Sequence, residues 1–364
     1  MSTTHELKIR GFPCNLFMKT DKIETSLEIK KLRQRFVSDY DLPIQVLHSP
    51  YFEERLEMFE NKFSAKTKYN NLLKLIDEKY EGKPQKFLEA YATIREDIIS
   101  ITKNSQAFRD FKESDFKKYE VKLPVGNTKL YTEPNAEEGD NFYVTFDLRK
   151  ANYQAIKWAS PAAMRYSKTY EEFIGHFTDL NYFKNSKYIR QVVFGQLYPK
   201  GTFIVEKYLI GLLYNFLNDN FKMWGAPFSI NADEIIYKLD KKTFLDFDWN
   251  NIKHLTEVIK ADLRLDVRIN KFKLHLHQFK LATSEAKIDI FEKENFSPYG
   301  KDSLACVPSI YAPQIYKLLK SKEPTENDRT FYYEHELVTF KYPLTLNKEQ
   351  EEKVENQKID DLPF

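Results

Sequence analysis

Apolar residues recur at helical spacing through most of the first 118 positions. Leu27, Ile29, Leu32 and Phe36 form one stripe, Phe52, Leu56 and Phe59 a second, and Leu72, Leu73, Leu75 and Ile76 a third. Phe87, Leu88, Tyr91, Ile94, Ile98 and Ile99 form a fourth, with Pro43, Pro50, Gly82 and Pro84 as punctuation. The period then changes. A loop-rich stretch with an acidic turn at Glu137–Asp140 leads into a β-like run, Asn141–Phe146, that ends at Asp147. Helical spacing returns over 148–223, interrupted by Pro161, Pro199 and Gly201. Phe228 and Ile230, then Ile235, Tyr237 and Leu239, alternate on either side of the acidic pair Asp233 and Glu234, which is the pattern of a β-hairpin with one buried face. A helix over about 249–263, a long strand over 267–281, a helix near 313–320 and a strand over 331–342 follow, and 347–364 reads as frayed. Helices inserted between strands of an antiparallel sheet indicate an α+β fold rather than alternating βαβ units. There is no internal repeat. Three regions result: a mainly helical 1–120, a sheet-centred 121–290 with a helical insertion over about 150–225, and a mixed 291–364.

Composition narrows the class without choosing a function. The 364 residues allow a substantial core and about two domains. Lys and Arg (56) nearly balance Asp and Glu (54), so any basic surface must be local. With 29 Phe, 23 Tyr and 10 Gly, the chain is an aromatic-rich globule rather than a disordered or collagen-like one. Cys14 and Cys306 are too few for a disulfide framework or a zinc motif, and no window is apolar enough for a membrane span or signal peptide. A reducing, cytoplasmic setting is therefore expected. Scarce Gly with abundant Lys, Asn, Phe and Tyr suits an AT-rich genome, such as a viral or phage-like one.

Carboxylates are depleted in strands and costly near a core unless a cation or a donor meets them. Asp147 at the end of one strand and Asp233 in the tip of a hairpin are thus candidate ligands for a divalent cation; an ordinary polar turn is the alternative for Asp233 and Glu234. Arg190, Phe194 and Tyr198 are spaced i, i+4, i+8 and share one face of a helix. They would meet a triphosphate and stack on bases, or else pack two aromatics into the core beneath a solvated Arg. The stretch 267–287 carries Arg268, Lys271, Lys273, Lys280 and Lys287 against Glu285, so its polar face suits a nucleic-acid backbone, with Lys271 and Lys273 central to it. His275 and His277 share a strand face, as a surface pair or a partial metal site.

Three of these segments together resemble the palm of family A DNA polymerases. Phe146-Asp147-Leu148-Arg149-Lys150-Ala151-Asn152-Tyr153 is similar to the family's strand-then-helix motif with its metal-binding Asp. Arg190, Phe194, Gly195 and Tyr198 resemble its fingers helix, and Ala232-Asp233-Glu234 followed by an apolar strand resembles its His-Asp-Glu hairpin. The resemblance covers roughly 120–290 and departs from the pattern at four places. Ala232 replaces the hairpin His, Arg190 the usual Lys, Ser186 an Arg, and Asn152 a Glu that helps exclude the ribose 2′-hydroxyl. A reverse-transcriptase-like palm is the second resemblance.

The resemblance implies a palm sheet with a short fingers-like insertion and a preceding thumb-like region. The implied activity is a nucleotidyltransferase serving DNA replication, without proofreading, that extends a nucleic-acid 3′ end with Mg²⁺ or Mn²⁺ held by Asp147 and Asp233. The backbone carbonyl of Leu148 would add an oxygen ligand, and Glu234 would assist. Arg190, Phe194, Tyr198 and Asn152 would bind the nucleoside triphosphate. The alternative is a palm-derived nucleic-acid-binding or assembly protein without activity.

Overall fold

The computed structural model describes residues 17–19 (main chain alone), 26–132, 141–220, 224–281, 286–297, 301–333 and 336–346. Cys14, the acidic turn at 137–140, Glu285, His335 and the segment 347–364 lie outside the described residues. Among the described residues the strands in chain order are β1 (Phe17–Lys19), β2 (Phe142–Leu148), β3 (Ser229–Ile230), β4 (Glu234–Leu239), β5 (Val267–Leu281), β6 (Lys287–Asn295), β7 (Ser303–Ala305), β8 (Thr330–Tyr333), β9 (Glu336–Phe340) and β10 (Leu344–Leu346). The fold is α+β, and the paired strands run antiparallel. No helix among the described residues is long and apolar enough to cross a membrane.

The chain divides into two compact units, one of Met1–Pro84, Leu276–Glu292 and Leu304–Phe364, the other of Gln85–His275 and Lys293–Ser303. The helical region read as 1–120 is shared between them: the helices Leu27–Tyr40, Tyr51–Met58 and Ala65–Tyr80 belong to the first unit, and Gln106–Glu113 to the second.

In the first unit β9 lies between β1 and β8. The strand expected over 331–342 is instead the hairpin β8–β9, with Phe331 opposite Val338. Phe331 and Phe340 stack at 4.3 Å and Tyr311 and Phe340 at 4.8 Å, within an apolar core that includes Phe279, Ile290 and Ile315. Beside it sits a buried ion pair, Arg55 Nη1 to Asp328 Oδ1 at 2.9 Å, with the two side chains 2% and 1% exposed. Asp328 Oδ2 also accepts from the Thr325 amide (2.8 Å), the Thr325 hydroxyl (2.7 Å) and Lys317.

The second unit is built on β3-β4-β2-β5, with β2 in the middle. Phe142, Val144, Phe146 and Leu148 of β2, Ile235, Tyr237 and Leu239 of β4, and Val267 and Ile269 of β5 share one face. That face packs on the helices Ala151–Ala159, Pro199–Asn220 and Trp249–Asp262 through Ala155, Val205, Leu209, Leu213, Ile252, Leu255 and Ile259. The last of these helices begins with a reciprocal cap: Asp248 Oδ1 accepts from the Asn251 amide at 2.9 Å, and Asn251 Oδ1 accepts from the Asp248 amide at 3.0 Å. On the other face Tyr143 and Phe272 stack at 5.5 Å. Fully burying a Phe or Leu stabilises by about 1.5–3 kcal/mol, so a one-residue slip of β2 would forfeit several such contributions and register is strongly specified.

The buried pair of the first unit gives a stability prediction. Burial pushes the Asp328 carboxyl up, but the hydrogen bonds from Lys317 and Thr325 and the Arg55 charge together outweigh it and hold the group below its usual range. A carboxyl lowered on folding contributes stability above its unfolded value of about 3.9 and loses it as pH falls through the folded value. Asp328→Ala should destabilise by about 3–5 kcal/mol at pH 7, since it leaves Arg55 buried and unpaired. The deficit should shrink in denaturant titrations below about pH 4.

Candidate active site

The strand β2 delivers Asp147 to the end of the sheet, and the turn after it is tied down by main-chain and amide contacts. The Leu148 amide donates to the Asp233 carbonyl at 2.8 Å, so the hairpin tip between β3 and β4 is fastened to the end of β2. The Arg149 amide donates to the Asp266 carbonyl at 2.9 Å. Gln154 donates to the carbonyls of Arg149 (2.6 Å) and Asp266 (2.7 Å) and accepts from the Asp266 amide (2.8 Å). Lys150, in the left-handed region at φ 54°, turns the chain into the helix Ala151–Ala159. The same register sets Asp147 opposite Glu234 of β4 on one side and Arg268 of β5 on the other.

These elements, with the helices Lys187–Leu197 and Pro199–Asn220, enclose a cavity of about 900 Å³ within the second unit. Asp147, Asp233, Asn152 and Arg190, distant in sequence, all line it. Nine basic and five acidic side chains contribute to its walls among the described residues, an excess of positive charge that suits an anionic ligand. Lys187 lies one helical turn before Arg190 on the same wall. Ser186, where the family pattern has Arg, caps that helix through the Ile189 amide at 2.9 Å and bonds Tyr91 Oη at 2.9 Å.

The acids in the cavity sit under mutual repulsion. Burial pushes the Asp233 carboxyl up, and the charge of Asp147 adds to the shift. Burial likewise carries Glu206, on the helix Pro199–Asn220, up to about 7, with Asp233 contributing. Arg268 answers Asp147, donating to Oδ2 from Nε at 3.1 Å and from Nη2. Glu234 stands outside the cavity lining; burial raises its carboxyl, Lys293 opposes that, and Asp147 reinforces it. Also on the lining, Glu171 pairs with Lys150, whose ammonium lies 5.0 Å from the Tyr170 ring centroid. Among the described residues no group of three or more His, Cys, Asp or Glu side chains is arranged to hold a metal ion.

Four expected binding residues stand elsewhere. Phe194 is 1% exposed and packs against Tyr153, Tyr170 and Phe173 at 6.1–6.4 Å, so it belongs to the core rather than to a base-stacking surface. Tyr198 is not on the helix face at all: the helix ends at Leu197, and Pro199 opens the next one. Its ring lies against Phe111 and Phe116 and presses onto Gly201, where a Cβ would collide with it. Lys271 is 6% exposed, with Nζ donating to the Phe247 carbonyl and lying 4.4 Å from the Phe244 ring centroid. Lys273, on the same strand face, has its ammonium 5.7 Å from the Phe142 ring centroid. The reason is shared: β5 turns Val267, Ile269 and Lys271 toward the helices, so the alternation of Lys with apolar residues did not mark a solvent face.

His275 bonds Glu294 at 2.8 Å and His277 bonds Glu292 at 2.7 Å, two separate cross-strand pairs. Glu206 is the site residue that sequence reasoning passed over. Its signal was an acid set within the apolar run Thr202–Leu217. Comparison with protein-family models, curated proteins and solved structures gives no match.

Glu206 yields a pH prediction. Its folded value of about 7 exceeds its ordinary 4.5, so between those values the folded chain binds more protons than the unfolded one and stability falls as pH rises. Glu206→Gln removes that cost. Thermal unfolding without added divalent cations should show the variant more stable than the wild type by about 1–3 kcal/mol at pH 8 and indistinguishable from it near pH 4.

Proposed function

We propose that the second unit is a metal-dependent nucleotidyltransferase resembling a compact family A DNA polymerase, which extends a nucleic-acid 3′ end. The observation that carries this reading is the convergence of Asp147, Asp233, Asn152 and Arg190 on one cationic cavity. The order strand, helix, basic helix and acidic hairpin around β2 supports a palm-like reading of the sheet.

The donor set fits Mg²⁺ or Mn²⁺. Both Asp side chains are hard oxygen donors, and a bound cation would offset the repulsion that Asp147 exerts on Asp233. Asp147 and Asp233 would hold it, with one or two carboxylates sufficing when waters and substrate phosphates complete the shell. When bound, such a cation would supply acidification of an attacking hydroxyl and charge neutralisation for a leaving pyrophosphate. The chain's own groups then position the substrate. Arg190 offers a forked donor to phosphate oxygens and Lys187 a point charge beside it. Asn152 faces the cavity at the position where family members carry Glu, so the sugar is tested by comparing dNTPs with NTPs.

One observation favours the second reading, a nucleic-acid-binding protein without turnover: Arg268 already neutralises Asp147. The two readings part in one experiment. Primer extension and unprimed synthesis with labelled dNTPs and NTPs, in Mg²⁺ or Mn²⁺, should give incorporation that Asp147→Ala and Asp233→Ala each reduce at least about 100-fold. Arg190→Ala should raise KM for the nucleotide more than it lowers kcat. Absence of incorporation under every combination rejects the enzyme reading. Salt-sensitive strand binding that survives both Asp substitutions then supports the binding protein.

A further inference from the structure

With Phe194 in the core and the Tyr198 ring held against Phe111, Phe116 and Gly201, the cavity needs another surface for a base, and one aromatic stands out. Phe203, in the second turn of the helix Pro199–Asn220, lines the cavity and is 49% exposed. Leaving about half of an aromatic residue exposed at a polar, charged cavity forgoes hydrophobic stabilisation that the same helix collects at Val205, Leu209 and Leu213, each 0% exposed. The Lys207 ammonium lies 5.4 Å from the Phe203 ring centroid. The ring shares the cavity with Arg190 and Gln191 of the preceding helix and with Glu206 one turn onward. A ligand that places phosphates at Arg190 and an apolar, planar group against Phe203 would use both features; a nucleotide has that chemistry.

We propose that Phe203 is the stacking platform for the nucleobase of a nucleoside triphosphate bound in this cavity. The inference rests on the nucleotidyltransferase reading for the identity of the ligand, and it assigns to Phe203 the contact that the sequence pattern assigns to Phe194 and Tyr198. Stacking on a π-face is tolerant of base identity, so Phe203 would contribute affinity rather than base choice. The free triphosphate is favoured over a base of a bound strand because the ring and the phosphate-binding Arg190 line one cavity.

The test uses the full chain and 2-aminopurine nucleoside triphosphate, whose fluorescence falls when the base stacks, with inorganic tripolyphosphate as a ligand that has no base. Quenching on binding is expected for the wild type. Phe203→Ala should weaken 2-aminopurine triphosphate binding roughly 5- to 100-fold and abolish the quench, while Phe203→Trp retains both. Tripolyphosphate affinity, measured by calorimetry, should be unchanged in both variants. Equal loss of tripolyphosphate binding in Phe203→Ala would show a merely structural role and overturn the proposal, as would full quenching in Phe203→Ala. Quenching seen for a 2-aminopurine oligonucleotide but not for the free triphosphate would assign the ring to a strand and overturn it too. If the wild type binds neither triphosphate nor tripolyphosphate, the proposal falls together with the nucleotidyltransferase reading. If tripolyphosphate binds and the base goes unsensed, the stacking role falls alone.

Discussion

The register of β2 between β4 and β5 is the constraint on which the second unit depends. Strand side chains alternate, so a single offset decides whether Phe146 or Asp147 faces the helices. In the observed pairing Phe146 is fully buried and Asp147 emerges beside Arg268 and Glu234. The apolar face of three strands thus fixes where the carboxylates appear. The Leu148 amide on the Asp233 carbonyl extends that control past the last paired residues to the hairpin tip.

Electrostatics works against this placement, and the compensation is visible. Asp147, Asp233 and Glu206 share one cavity, and burial and proximity raise the last two. Arg268 meets the first, and Lys and Arg side chains outnumber the acids along the cavity lining. Natural sequences tolerate local conflicts of this kind chiefly at functional sites, where the surrounding fold over-determines them. The contrast within the chain is informative: Asp328 in the first unit is more deeply buried than the cavity acids, yet Arg55, Lys317 and Thr325 all donate to it, and its carboxyl is lowered.

Much of this was legible in the sequence, for identifiable reasons. The long β-like stretch with alternation at Phe272, Leu274 and Leu276 bounded β5 as Val267–Leu281, and two apolar arms around Asp233 and Glu234 bounded the hairpin. Asp147 and Asp233, which line one cavity, stood out because a carboxylate at a strand end is locally anomalous. Spacing failed where two faces compete. The i, i+4, i+8 pattern at Arg190, Phe194 and Tyr198 placed residues on a common line but carried no information on which side held the core, nor that the helix stops at Leu197. Lys271 misled because it is buried, with its ammonium against the Phe244 and Phe247 rings and bonded to the Phe247 carbonyl. The hairpin β8–β9 merged into one expected strand because both arms are rich in aromatic and β-branched residues.

The aromatic cluster around Phe194 has a mechanical consequence. Its ring interlocks with Tyr153 on the helix Ala151–Ala159 and with Tyr170 and Phe173 on Tyr170–Gly175, so the wall carrying Arg190 is bolted to the wall carrying Asn152. A swing of the Arg190 helix alone would tear open densely filled space. Any closure over a bound ligand is therefore expected to carry these helices as one block, with the adjustable parts being long side chains at the rim.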